Sequence, residues 1–179
     1  MSTLFKQSYR NFLLKSSSAH GVHSPFVYDL VSLCLRKKRD TALLYNELVS
    51  GFPKIFRAKH IRILNHIISY LEIKNYAHFC ESEHNIDKLP SIELLAKTKH
   101  PKADLIYLPV ENFNLHHSTL LIEGLKNNGV LIIENPYSNP EVWETIKQHH
   151  ESHIVVDTYF FGLLFNRKQQ AKEHFFIRL

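Results

Sequence analysis

Thirteen histidines, two cysteines and two groups of basic residues are the side chains of this 179-residue chain whose types invite chemistry. A metal centre would start from His149, His150 and His153, because imidazoles four residues apart share one helix face. Only Glu151 stands close enough in sequence to join them, so no recognisable ligand set is completed. Cys34 and Cys80 lie on segments with no obvious pairing and read as reduced thiols, one in a helix and one at a strand end. No nucleophile elbow, phosphate loop or zinc-protease pattern occurs. The charge is uneven: residues 1–75 hold 12 Lys and Arg against 4 acids, residues 76–179 hold 10 against 13. Arg36-Lys37-Lys38-Arg39 and the set Lys54, Arg57, Lys59 and Arg62 could meet phosphates or an acidic partner. The simpler role of the run is a solvated helix end that favours the helix dipole.

The elements that must carry these residues follow from periodicity. A helix is predicted from Thr3 to Lys15, then Ser16-Ser17-Ser18 leads to a turn at His20-Gly21-Val22-His23. Ser24 suits an N-cap and Pro25 the first helical position, with Phe26, Val27, Leu30, Val31, Cys34 and Leu35 as the apolar face. A further helix carries Ile61, Leu64, Ile67, Ile68 and Leu71 on one core-facing side. After Glu72 short apolar runs alternate with helical ones, which predicts a mainly parallel sheet with crossover helices. Strands are expected near 75–80, 104–108, 129–134, 153–158 and 174–179, and helices at 113–127 and from Asn139-Pro140 to about His149, with Val142, Trp143 and Ile146 inward. Gly129 follows the helix at 113–127 where a left-handed residue would end a helix or open a strand.

With 44% hydrophobic residues, the length suits one domain, helical over 1–72 and a reduced α/β sheet over 73–179. No apolar run approaches the roughly 20 residues of a membrane span, and the first residues lack a secretory signal, so a cytoplasmic protein without membrane contact is expected.

His20-Gly21-Val22-His23-Ser24-Pro25-Phe26-Val27-Tyr28-Asp29-Leu30 resembles the entry segment of a bacterial family of class I methyltransferases that use S-adenosylmethionine. Val155-Val156-Asp157-Thr158-Tyr159-Phe160-Phe161-Gly162-Leu163-Leu164-Phe165, with Lys172-Glu173-His174-Phe175, is similar to that family's last strands. Phe56-Arg57-Ala58-Lys59 and the following helix also match in character. The resemblance implies a Rossmann-like methyltransferase-type sheet behind N-terminal helices, closed by an antiparallel edge. It also marks a shortened, degenerate member. The glycine-rich cofactor loop should fall near residues 75–84, which read Asn-Tyr-Ala-His-Phe-Cys-Glu-Ser-Glu-His without a glycine. Between Cys80 and Asp104 stand 23 residues, whereas each βαβ unit takes ~30, so two complete units cannot fit and the adenosine-gripping half of the sheet is curtailed.

Carried onto this chain, the resemblance makes Glu81 a stand-in for the first-loop acid and Glu93 the one candidate for the acid that holds the ribose. Glu134 falls where active relatives carry paired aspartates near the methyl acceptor. Against these roles, Glu93 reads as an exposed helix residue and Glu134 as a solvated strand end. His20 and His23 are expected to shape a glycine turn through imidazole bonds to the backbone, or else to meet a substrate or partner. Three functions are open. The first is a non-catalytic protein that binds a ligand or protein partner without a cofactor. The second is an active S-adenosylmethionine-dependent methyltransferase with a reduced pocket. The third is a nucleic-acid-binding protein that uses the basic N-terminal part.

Overall fold

The computed structural model describes residues 3–36, 57–78, 102–113, 121, 123–149 and 154–179. Helix α1 spans Thr3–Lys15, as the periodicity predicts, and buries Phe12. Helix α2, Pro25–Asp29, continues as a π-helical segment over Leu30–Leu35, in which the Arg36 N–H reaches back five residues to the Val31 carbonyl at 3.1 Å. The Ser24 hydroxyl does not cap this helix: Ser24 sits at the N-cap, but its buried Oγ has no hydrogen bond among the described residues. The helix start rests instead on Pro25 and on the Tyr28 N–H bonded to the Ser24 carbonyl.

Helix α3 spans Arg57–Tyr70 and buries more of its circumference than one apolar stripe. His60, Asn65 and His66 are buried with Ile63, Leu64 and Ile67. It ends at a left-handed Glu72 (φ 51°), after which the Ile73 N–H bonds the Ile68 carbonyl.

Among the described residues six strands follow: β1 Tyr76–His78, β2 Ala103–Pro109, β3 Leu125–Glu134, β4 Ile154–Asp157, β5 Phe161–Phe165 and β6 Glu173–Phe176. They form one mixed sheet in the order β1-β2-β3-β5-β4-β6. β1, β2 and β3 are parallel neighbours, β5 runs antiparallel between β3 and β4, and β6 pairs parallel with β4. The chain therefore has an α/β fold compatible with a Rossmann-like sheet. Two sequence expectations are corrected here. The antiparallel strand is the segment containing Gly162 to Phe165, while the strands on either side of it in sequence pair parallel with each other. Leu125 to Asn127 are strand and not the end of a helix, and the left-handed residue there is Asn128 (φ 68°) and not Gly129. Gly129 is required for space instead, since a Cβ would lie 3.0 Å from the Lys126 carbonyl and 3.2 Å from those of Ala103 and Asp104.

Strand alternation splits the core in two. Leu105, Tyr107, Val130, Ile132, Phe161, Leu163 and Phe165 face α2, its π-helical extension and α3. Ile106, Leu108, Leu131, Ile133 and Leu164 face helix α4, Pro140–His149, which contributes Trp143 and Ile146. The two ends of the chain are stitched together: the Ser17 N–H bonds the Phe176 carbonyl at 2.8 Å, and the Arg178 N–H bonds the Ser17 carbonyl at 3.1 Å. Among the described residues no helix is long and apolar enough to cross a membrane.

Candidate functional site

In α/β sheets, ligands meet the carboxyl ends of parallel strands, and two buried carboxyl groups lie there. Glu134 is the last residue of β3. By alternation it points with Val130 and Ile132 into the layer below α2 and α3, where the Tyr107 hydroxyl of β2 donates to Oε2 at 2.5 Å. Only 2% of the residue is exposed, and its other oxygen, Oε1, has no hydrogen-bond partner among the described residues. Burial drives the carboxyl up to about 7; the Tyr107 bond opposes the rise and the negative charge of Glu111 adds to it. The expectation of a solvated strand end is thus corrected. Asn135 is left-handed (φ 50°, ψ 50°), its N–H bonded to the Phe160 carbonyl, and Pro136 then opens a 3-10 turn. This turn folds the polar Asn-Pro-Tyr-Ser sequence away and leaves Glu134 beneath it. At the rim, the Ser138 hydroxyl bonds Glu111 Oε1.

Asp157 ends β4 on the opposite face. Its Oδ2 accepts from Trp143 Nε1 and from the Tyr137 hydroxyl, both at 2.9 Å, and its Oδ1 accepts from the Tyr159 N–H at 2.9 Å. Burial raises this carboxyl, and all three donors together with Lys147 pull it back. Gly162, paired with Asp157 across β4 and β5, leaves the space that the Trp143 ring fills. A Cβ there would stand 2.2 Å from Cη2. Tyr159, itself left-handed (φ 72°), stacks on Tyr137 at 4.5 Å and meets Phe12 edge-on at 5.4 Å.

The remaining candidates are scattered. His20 lies in a 3-10 turn, Ala19–Gly21, and both His20 and His23 are exposed. Neither makes the expected imidazole bond to the backbone among the described residues; the turn is closed by the Gly21 and Val22 N–H groups on the Ser18 and Ala19 carbonyls. Arg36 is exposed and donates to the Arg178 carbonyl at 3.1 Å. Glu81, Glu93, Lys37, Lys38, Arg39 and Cys80 lie outside the described residues, as do His150, Glu151 and His153; Cys34 is buried in the layer below α3. Among the described residues no three His, Cys, Asp or Glu side chains gather to hold a metal. Asp104, at the far end of β2, is a structural pin. Lys126 and the Lys74 and Asn75 N–H groups outweigh its burial and hold its carboxyl below the usual range.

Sequence reasoning assigned no role to Tyr107, His60 or Asp157. For Asp157 a signal existed: an acid inside Ile154-Val155-Val156-Asp157-Thr158-Tyr159-Phe160-Phe161 must be buried and therefore needs donors. Compared with models of protein families, with curated proteins and with solved structures, the chain matches none.

Proposed function

We propose that this chain is a reduced methyltransferase-like domain that acts by binding a ligand or partner at the carboxyl edge of β1 to β3, and not by transferring a methyl group. The observation that carries this reading is the direct parallel pairing of β1 with β2, joined by residues 79–102 alone. That stretch suffices for one crossover of a dozen or more residues. It is too short for the two further βαβ units that would complete the sheet beyond β1, at about 30 residues each. The antiparallel β5 set between β3 and β4 supports the other half of the resemblance.

Glu134, the one described candidate for contact with S-adenosylmethionine, turns one oxygen, Oε2, to the Tyr107 hydroxyl inside the sheet. The test is thermal unfolding with S-adenosylmethionine or S-adenosylhomocysteine at millimolar concentration. A ligand at about 100 times its dissociation constant adds ~2.7 kcal/mol, which would raise Tm by about 5–10 °C. We expect no shift with either; a shift of that size would return the chain to the enzymes.

A further inference from the structure

We propose that Glu134 anchors a site for an organic monocation, a protonated amine or guanidinium group that donates N–H to Oε1 beside Phe160 and Phe161. The proposal rests on the ligand-binding reading above and names the ligand class. Oε1 is a strong acceptor in a residue 2% exposed, and among the described residues nothing donates to it. Buried acceptors are almost always satisfied, so an orphan of this strength calls for a partner from outside the chain. The surroundings favour an organic cation. Phe161 is the residue paired with Glu134 across β3 and β5, and Phe160, partly exposed, packs into the same layer. The His60 ring lies 4.6 Å from that of Phe160 and 5.7 Å from that of Phe161. Aromatic rings beside a carboxylate attract a desolvated cation through their faces as well as through the charge. A hard divalent ion is disfavoured, because it needs several oxygen ligands. The titratable groups that act on the acid are Tyr107 from β2 and Glu111 from the 3-10 turn after β2, while His60 of α3 lies against the two phenylalanine rings.

The experiment is calorimetric titration of the whole chain with n-butylammonium, against n-butanol as the uncharged isostere and tetramethylammonium as a cation without N–H. Binding is expected for n-butylammonium alone. Its apparent affinity should rise about tenfold between about pH 5 and pH 6, because the acid must shed its proton to pair with the cation, and should level off above about pH 8. Glu134→Gln, close in shape and uncharged, should fold and lose binding. Tyr107→Phe should keep binding and move the pH dependence upward, since it removes the donor that favours the carboxylate. Absence of binding at about pH 8 would overturn the proposal and leave a buried water as the partner of Oε1. Binding that survives Glu134→Gln, or that n-butanol matches, would overturn it equally. Amine binding together with a Tm shift by S-adenosylmethionine would overturn the non-catalytic reading and leave this site standing.

Discussion

Glu134 and Asp157 end parallel strands of the same sheet, on opposite faces, and both are buried. Asp157 has three donors around its two oxygens, one from α4, one from the turn after β3 and one from its own hairpin. Glu134 has one donor and a bare oxygen. The difference separates a carboxyl that organises the fold from one that the fold tolerates at a cost. A carboxylate enclosed by donors fixes the groups that surround it, whereas one with an orphan oxygen is either neutral or awaiting a partner.

Removing each acid should therefore act with opposite sign. Asp157→Ala leaves the Trp143 N–H, the Tyr137 hydroxyl and the Tyr159 N–H without their acceptor. It should cost about 3–5 kcal/mol and lower Tm by about 10 °C or more; a loss below about 1 kcal/mol in chemical denaturation would dissolve the contrast. For Glu134 the folded value near 7 lies above its ordinary 4.5, so the folded state holds the proton more tightly than the unfolded chain. Its contribution is complete below about pH 4.5 and is lost as pH rises through about 7, on the order of 3 kcal/mol in all. Denaturation profiles of the native chain and of Glu134→Gln should converge in acid and separate above neutrality, with the variant the more stable. Asp157 is present in both and cancels. Gly162→Ala tests the organising side from the opposite strand: Trp143 is pinned through its Nε1 and cannot retreat, so we expect a loss of about 1–3 kcal/mol. His20→Ala and His23→Ala, exposed and outside both sites, should stay within about 0.5 kcal/mol.

What could be read beforehand follows the same division. Periodicity placed α1, the Pro25 helix start, α4 with Trp143 inward, and the centres of β2 and β3, because each is decided by local spacing. The burial of Glu134 was present in the alternation of Val130 and Ile132, but the polar Asn-Pro-Tyr-Ser run behind it resembles a solvated loop. Only the left-handed Asn135 shows how that run folds away. The donors to Asp157 are 14 and 20 residues upstream and meet it only after the sheet has formed, which no local pattern encodes. That Phe161 to Phe165 form a strand of their own, and the antiparallel one, was not separable beforehand for a related reason: an apolar run after Tyr159 fits a connection packed on the core as well as it fits a strand, until β3 and β4 close on it.

The stitch between Ser17 and the last strand has a consequence for synthesis. Its partners are 159 residues apart, so the segment that resembles a family signature cannot take its final place until nearly the whole sequence has left the ribosome. At about 5–20 residues per second that wait is roughly 10–30 s. During it Phe12 lacks its Phe176 and Tyr159 neighbours, and the aromatic face of α1 stays uncovered.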